Sequence, residues 1–80
     1  MAASKSEIAQ WFDDGVKKGA SHMIIVCDTF DYDDYPKYVM PGDDPREKAN
    51  NLGSMQTLME VYNLSMDKNT QLAASRAYNY

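Results

Sequence analysis

Eighty residues with 44% apolar side chains, four glycines and three prolines make one small domain (residues 1–80), leaving no room for a second core and excluding a disordered or fibrous chain. Eight basic residues against twelve acidic ones give a formal charge of −4. The cations are scattered along the chain, so direct nucleic-acid binding is not expected, and a protein partner with a basic surface is the natural counterpart. The single cysteine, Cys27, excludes an internal disulfide, and its apolar surroundings (Met23-Ile24-Ile25-Val26) predict a small buried hydrophobe rather than a reactive thiol. One cysteine, no secretory h-region and no apolar run beyond five residues predict a cytoplasmic protein of the host cell with no membrane segment. A core this thin leaves a homodimer interface open as added support.

Ser4-Lys5-Ser6-Glu7 fits a capping box, and Ile8, Trp11, Phe12 and Val16 follow at the spacing of an amphipathic helix. Lys17 and Lys18 suit its last turn and Gly19 its C′ position, while Gly15 weakens it by about 1 kcal/mol relative to alanine. His22 to Asp28 reads as a strand, and its five consecutive apolar residues predict burial on both faces. Thr29 to Asp34 is turn-like in composition, and Tyr35 to Met40 reads as a second strand, which Pro36 requires either to start there or to lie at an edge. The two strands form a hairpin with a wide loop. Asp44-Pro45-Arg46-Glu47 starts a short second helix that ends near Leu52-Gly53.

Met55 to Leu64 is divided between helical spacing and strand composition; the Gly53-Ser54 break and Val61-Tyr62 favour a third strand. Ser65 or Asp67 then caps a last helix running to about Tyr78, with Leu72, Ala73 and Ala77 facing inward. The order α-β-β-α-β-α predicts an α+β domain with a three-stranded, mainly antiparallel sheet in spatial order 2-1-3, packed by helices. The helix between strands two and three predicts a right-handed crossover.

Half of the acids, Asp28, Asp31, Asp33, Asp34, Asp43 and Asp44, fall within seventeen residues, interleaved with Tyr32, Tyr35 and Tyr38. The hairpin places this set at one end of the sheet and along its edge. Asp31-Tyr32-Asp33 resembles the opening of an EF-hand loop, but Pro36 stands where glycine is required and Gly42 at position twelve. Carboxylate catalysis needs a pocket and a basic neighbour, and the only histidine, His22, begins a strand. With no Gly-rich phosphate loop, Cys/His metal spacing or nucleophile elbow, no catalytic residue, metal site or cofactor is expected. Protein recognition suits the residue types best: tyrosines supply contact area and aspartates steer toward a basic surface. The bland alternative is that the acids solvate a loop and cap a helix, as Asp44 does by its position. The six methionines are expected to be mostly core filler.

The stretch from Gly19 to Pro36, with Tyr38-Val39-Met40-Pro41-Gly42 and Met59-Glu60-Val61-Tyr62-Asn63-Leu64, resembles a family of short, mostly uncharacterised bacterial and prophage proteins that includes an anti-CRISPR protein acting on type I-C systems. With the Trp11-Phe12 helix, the resemblance covers most of the chain. It implies an inhibitor that binds the basic target-DNA path of the Cascade surveillance complex, on its backbone subunits, and it carries no catalytic motif. The residues expected to bind the partner rest on the charge argument: Asp31, Tyr32, Asp33, Asp34 and Tyr35, supported by Asp28 and Asp43. A homodimeric accessory or regulatory protein joined through a strand edge is the alternative.

Overall fold

A computed structural model describes residues 3–80 as six elements. Helix α1 spans Lys5–Lys18, strand β1 His22–Asp28, strand β2 Asp33–Val39, helix α2 Pro45–Asn50, strand β3 Gln56–Asn63 and helix α3 Lys68–Ala73. The sheet runs β2-β1-β3, with β1 antiparallel to both neighbours, so the α+β architecture and strand order are those the sequence predicts. A register shift between Ile25 and Val26 accommodates one extra residue of β3. Among the described residues no helix is long and apolar enough to cross a membrane.

The central strand is buried on both faces, and this organises everything else. Met23 and Ile25 point into a layer closed by Ile8 and Phe12 of α1, with Tyr62, Leu64 and Ala77. Ile24 and Val26 point the other way, against Val39, Ala49 of α2, and partly buried Tyr35, Leu58 and Tyr80. Alternation along one strand thus feeds two cores, which is why its apolar run is continuous.

Local chemistry sets most boundaries. The Ser4 hydroxyl accepts from the Glu7 amide at 3.2 Å, and the Ser4 amide donates back to Glu7 Oε1 at 3.5 Å. Gly19 ends α1 at φ 78°, a conformation that costs glycine nothing. Asp44 caps α2 through the Arg46 amide, and Asp67, rather than Ser65, caps α3 through the Thr70 amide.

Several sequence expectations are corrected. β2 begins at Asp33, not Tyr35, so the connection is a four-residue turn rather than a wide loop. α2 stops at Asn50, two residues short of Leu52. α3 ends at Ala73 rather than near Tyr78, because the segment beyond it pairs with β3: Val61 N donates to Ala77 O at 2.8 Å and Asn79 N to Val61 O at 2.9 Å. This parallel bridge buries Ala77 as expected, leaves Ala73 exposed, and covers part of the β3 edge. Val16 is exposed and Gly15 takes its inward place on α1. Met23 is core, but Met40, Met55 and Met66 are exposed, and Met1 lies outside the described residues. Cys27 is half-buried.

Candidate functional site

The turn between β1 and β2 is built by its own aspartates. Asp28 Oδ1 accepts from the Phe30 amide at 2.9 Å and Asp31 Oδ1 from the Asp33 amide at 3.1 Å. The Tyr32 amide reaches back to the Asp28 carbonyl, closing the turn with Tyr32 at φ 60°. A tyrosine held there costs on the order of 1 kcal/mol, and the surrounding hydrogen bonds outweigh it.

This construction throws side chains outward. Phe30 is 79% exposed and Tyr32 66%. The Thr29 amide bonds the Met55 carbonyl at 2.8 Å, which brings Met55, 46% exposed, to the same end of the sheet. Asp31 and Asp33 are exposed on the same turn and Asp28 is half-buried at its start. Phe30, Tyr32 and Met55 thus stand exposed at the same end of the sheet as the exposed Asp31 and Asp33.

The other sequence-predicted residues do different work. Tyr35 packs against the second core layer and accepts a hydrogen bond from the Gln56 amide group, while Gln56 Oε1 accepts from the Gly53 amide. Asp34 faces the opposite side of the sheet, where its Oδ2 accepts from the Ala3 amide at 3.0 Å. Partial burial, with the Asp34 carboxylate beside it, pushes the Cys27 thiol up, away from the thiolate a reactive cysteine needs. Asp43 is separated from the set altogether. It follows Val39, which pairs with His22 at the far end of the hairpin, about 20 Å along β2 from Asp33. Of the set expected at one end of the sheet and along its edge, Asp28, Asp31 and Asp33 lie at the tip and Asp34 on the edge strand β2, whereas Asp43 and Asp44 lie beyond the far end of that strand, in the loop entering α2.

Among the described residues no three His, Cys, Asp or Glu side chains converge as a metal site requires. His22 donates to or accepts from Ser21 Oγ through Nδ1 at 2.9 Å, and its Nε2 is buried without a protein partner. The residue missed by sequence reasoning is Phe30. Its signal was present: a large apolar ring in a stretch of turn formers, with no periodic apolar neighbour to share a face.

No protein-family model, curated protein or solved structure matches this chain.

Proposed function

We propose that this chain is a binding protein whose β1–β2 turn docks onto a basic, nucleic-acid-binding surface of another protein and blocks it. The observation that carries this reading is the exposure of Phe30 and Tyr32 on a turn rimmed by Asp28, Asp31 and Asp33. A folded domain gains nothing by holding large apolar rings in water, whereas buried aromatic anchors with a charged rim are what binding surfaces use. The net charge of −4 directs encounter toward a positive partner. The partner to which the sequence resemblance points is the Cascade complex of a type I-C CRISPR system, with occlusion of target DNA as the inhibitory mechanism. No bond is made or broken in this activity.

The alternative homodimer would pair two β2 edges. Pro36 and Lys37 stand in the middle of that edge, one without an amide and the other charged, and both oppose pairing.

Capture of purified type I-C Cascade by the tagged protein, at low and high salt, tests the proposal together with target-DNA binding by the captured complex. Capture that weakens with salt and prevents DNA binding is the expected result. Asp31→Asn with Asp33→Asn removes two charges while an amide oxygen remains at position 31 to close the turn. Asp34 is left intact because it anchors Ala3. Unchanged capture by this variant would overturn the assignment of the tip, and no capture by the parent would overturn the partner.

A further inference from the structure

A cavity of about 330 Å³ opens between α3 and the segment that clasps the β3 edge. It lies toward the end of β3 that pairs with His22, away from the β1–β2 turn and independent of the docking reading above. Small-molecule sites occupy ~300–1,000 Å³, so its size suits a compact ligand. Ala74, Ala77 and the exposed Met66 and Tyr78 give it apolar walls.

Most of its polar lining is already committed to the fold. Gln71 uses its whole side-chain amide: Oε1 accepts from the Asn63 amide and from Asn79 Nδ2, and Nε2 donates to the Asn63 and Asp67 carbonyls. Thr70 gives both its amide and its hydroxyl to Asp67 Oδ2. Two charged side chains keep bonding capacity. Among the described residues Asp67 Oδ1 accepts no hydrogen bond, and Arg76 makes neither a hydrogen bond nor an ion pair. One carboxylate and one guanidinium thus line the same apolar cavity without pairing with each other.

We infer that this cavity binds a free α-amino acid with an apolar side chain. Its carboxylate lies on Arg76, its ammonium on Asp67 Oδ1, and its side chain against Met66 and Tyr78. A guanidinium takes a carboxylate through two parallel N–H bonds, and an ammonium donates to a carboxylate oxygen as a charge-assisted bond. A zwitterion matches a lining of one negative and one positive group. A ligand with a single charge would satisfy one of them and face the other as a like charge. A dianion such as phosphate would meet one arginine and be repelled by Asp67. The thioether and the ring supply adaptable apolar surface for the ligand's side chain. A residue within a peptide does not carry both charges, so the occupant is the free amino acid.

The test is a nuclear magnetic resonance titration of the full chain, labelled with nitrogen-15, with L-phenylalanine. Two analogues run beside it: 3-phenylpropionate, which lacks the ammonium, and phenethylamine, which lacks the carboxylate. Phenylalanine should shift the amide signals of Thr70, Gln71 and Arg76 saturably, and each analogue should bind about tenfold or more weakly. Arg76 bonds nothing in the fold, so Arg76→Gln leaves the structure intact and should erase the advantage of phenylalanine over phenethylamine. Equal binding of all three compounds would overturn the zwitterion class and leave only an apolar cavity. Phenylalanine no tighter than 3-phenylpropionate would overturn the part given to Asp67, and undiminished binding by the Arg76→Gln variant would overturn that given to Arg76. No saturable shift of those three signals would overturn the site.

Discussion

Replacing Gly15 with alanine sets two effects against each other. In an exposed helix the change stabilises by about 1 kcal/mol, because glycine is the poorer helix former. Here a Cβ built on Gly15 meets Tyr38 Cε1 at 2.7 Å and Leu64 Cδ1 at 2.8 Å, closer than carbon atoms pack. The Leu64 methyl can swing aside. The Tyr38 ring cannot move freely, since its hydroxyl donates to the Trp11 carbonyl at 2.8 Å and its face lies under Lys18. Overpacking of this kind costs about 1–3 kcal/mol, and losing the hydroxyl bond adds about 1 kcal/mol. After the propensity gain is subtracted, Gly15→Ala should destabilise by about 1–3 kcal/mol, lowering Tm by roughly 4–24 °C in a domain of this size. Urea and thermal unfolding followed by circular dichroism measure the effect. The same substitution in a Tyr38→Ala background removes the ring, so there it should be neutral or stabilising. A single Gly15→Ala variant more stable than the parent would refute the close approach of α1 to β2.

Tyr62 donates to Glu60 Oε2 at 2.9 Å inside the core, so Tyr62→Phe leaves a buried carboxylate short of a partner and should cost about 1–3 kcal/mol by urea unfolding. Burial, with the neighbouring Glu60, holds the Tyr62 hydroxyl above its ordinary value. Its contribution is therefore present below the unfolded tyrosine pKa and lost on going alkaline, and its phenolate absorbance should appear only with unfolding. Asp67 is held below the usual carboxylate value by the Thr70 hydroxyl and amide, so its contribution is present above pH about 4 and lost as the pH falls through the folded value. Asp67→Asn should consequently lose stability near neutrality and approach the parent in acid, as urea midpoints at the two pH values will show. Deleting residues 77–80 removes two backbone hydrogen bonds from Val61, the Ala77 amide bond to Glu60, the Asn79 bond to Gln71 and the core packing of Ala77 and Tyr80, and should cost more than about 3 kcal/mol, with the Val61 amide exchanging rapidly in deuterium oxide.

The parts of the fold legible in the sequence are those decided within a few residues. Ser4, Asp44 and Asp67 announce helix starts because a short polar side chain reaches the amide two or three residues on. The run Met23 to Val26 announces a strand between two layers because no other element needs apolar residues on both sides. What escaped depends on distant partners. Ala77 to Asn79 carry no strand signal of their own, and only the free edge of β3 makes them extended. Gly15 reads as a weak point of α1 until Tyr38, twenty-three residues away, occupies the space a side chain would fill. In the candidate site, the acids and tyrosines were visible as a cluster in sequence. Their division was not, because neighbours in a strand point to opposite faces, and so Asp34 and Tyr35 turn to structural tasks on opposite sides of the sheet.

The segment that follows α3 sends Ala77 into one core layer and Tyr80 into the other, wrapping the edge of β3 between them. Synthesis runs toward these residues, so the nascent sheet holds its centre strand early and receives its closing clasp last. Until then the β3 edge is an open template, and crowded nascent chains are most prone to pair there. A bulky fusion appended directly after Tyr80 would press on that same clasp.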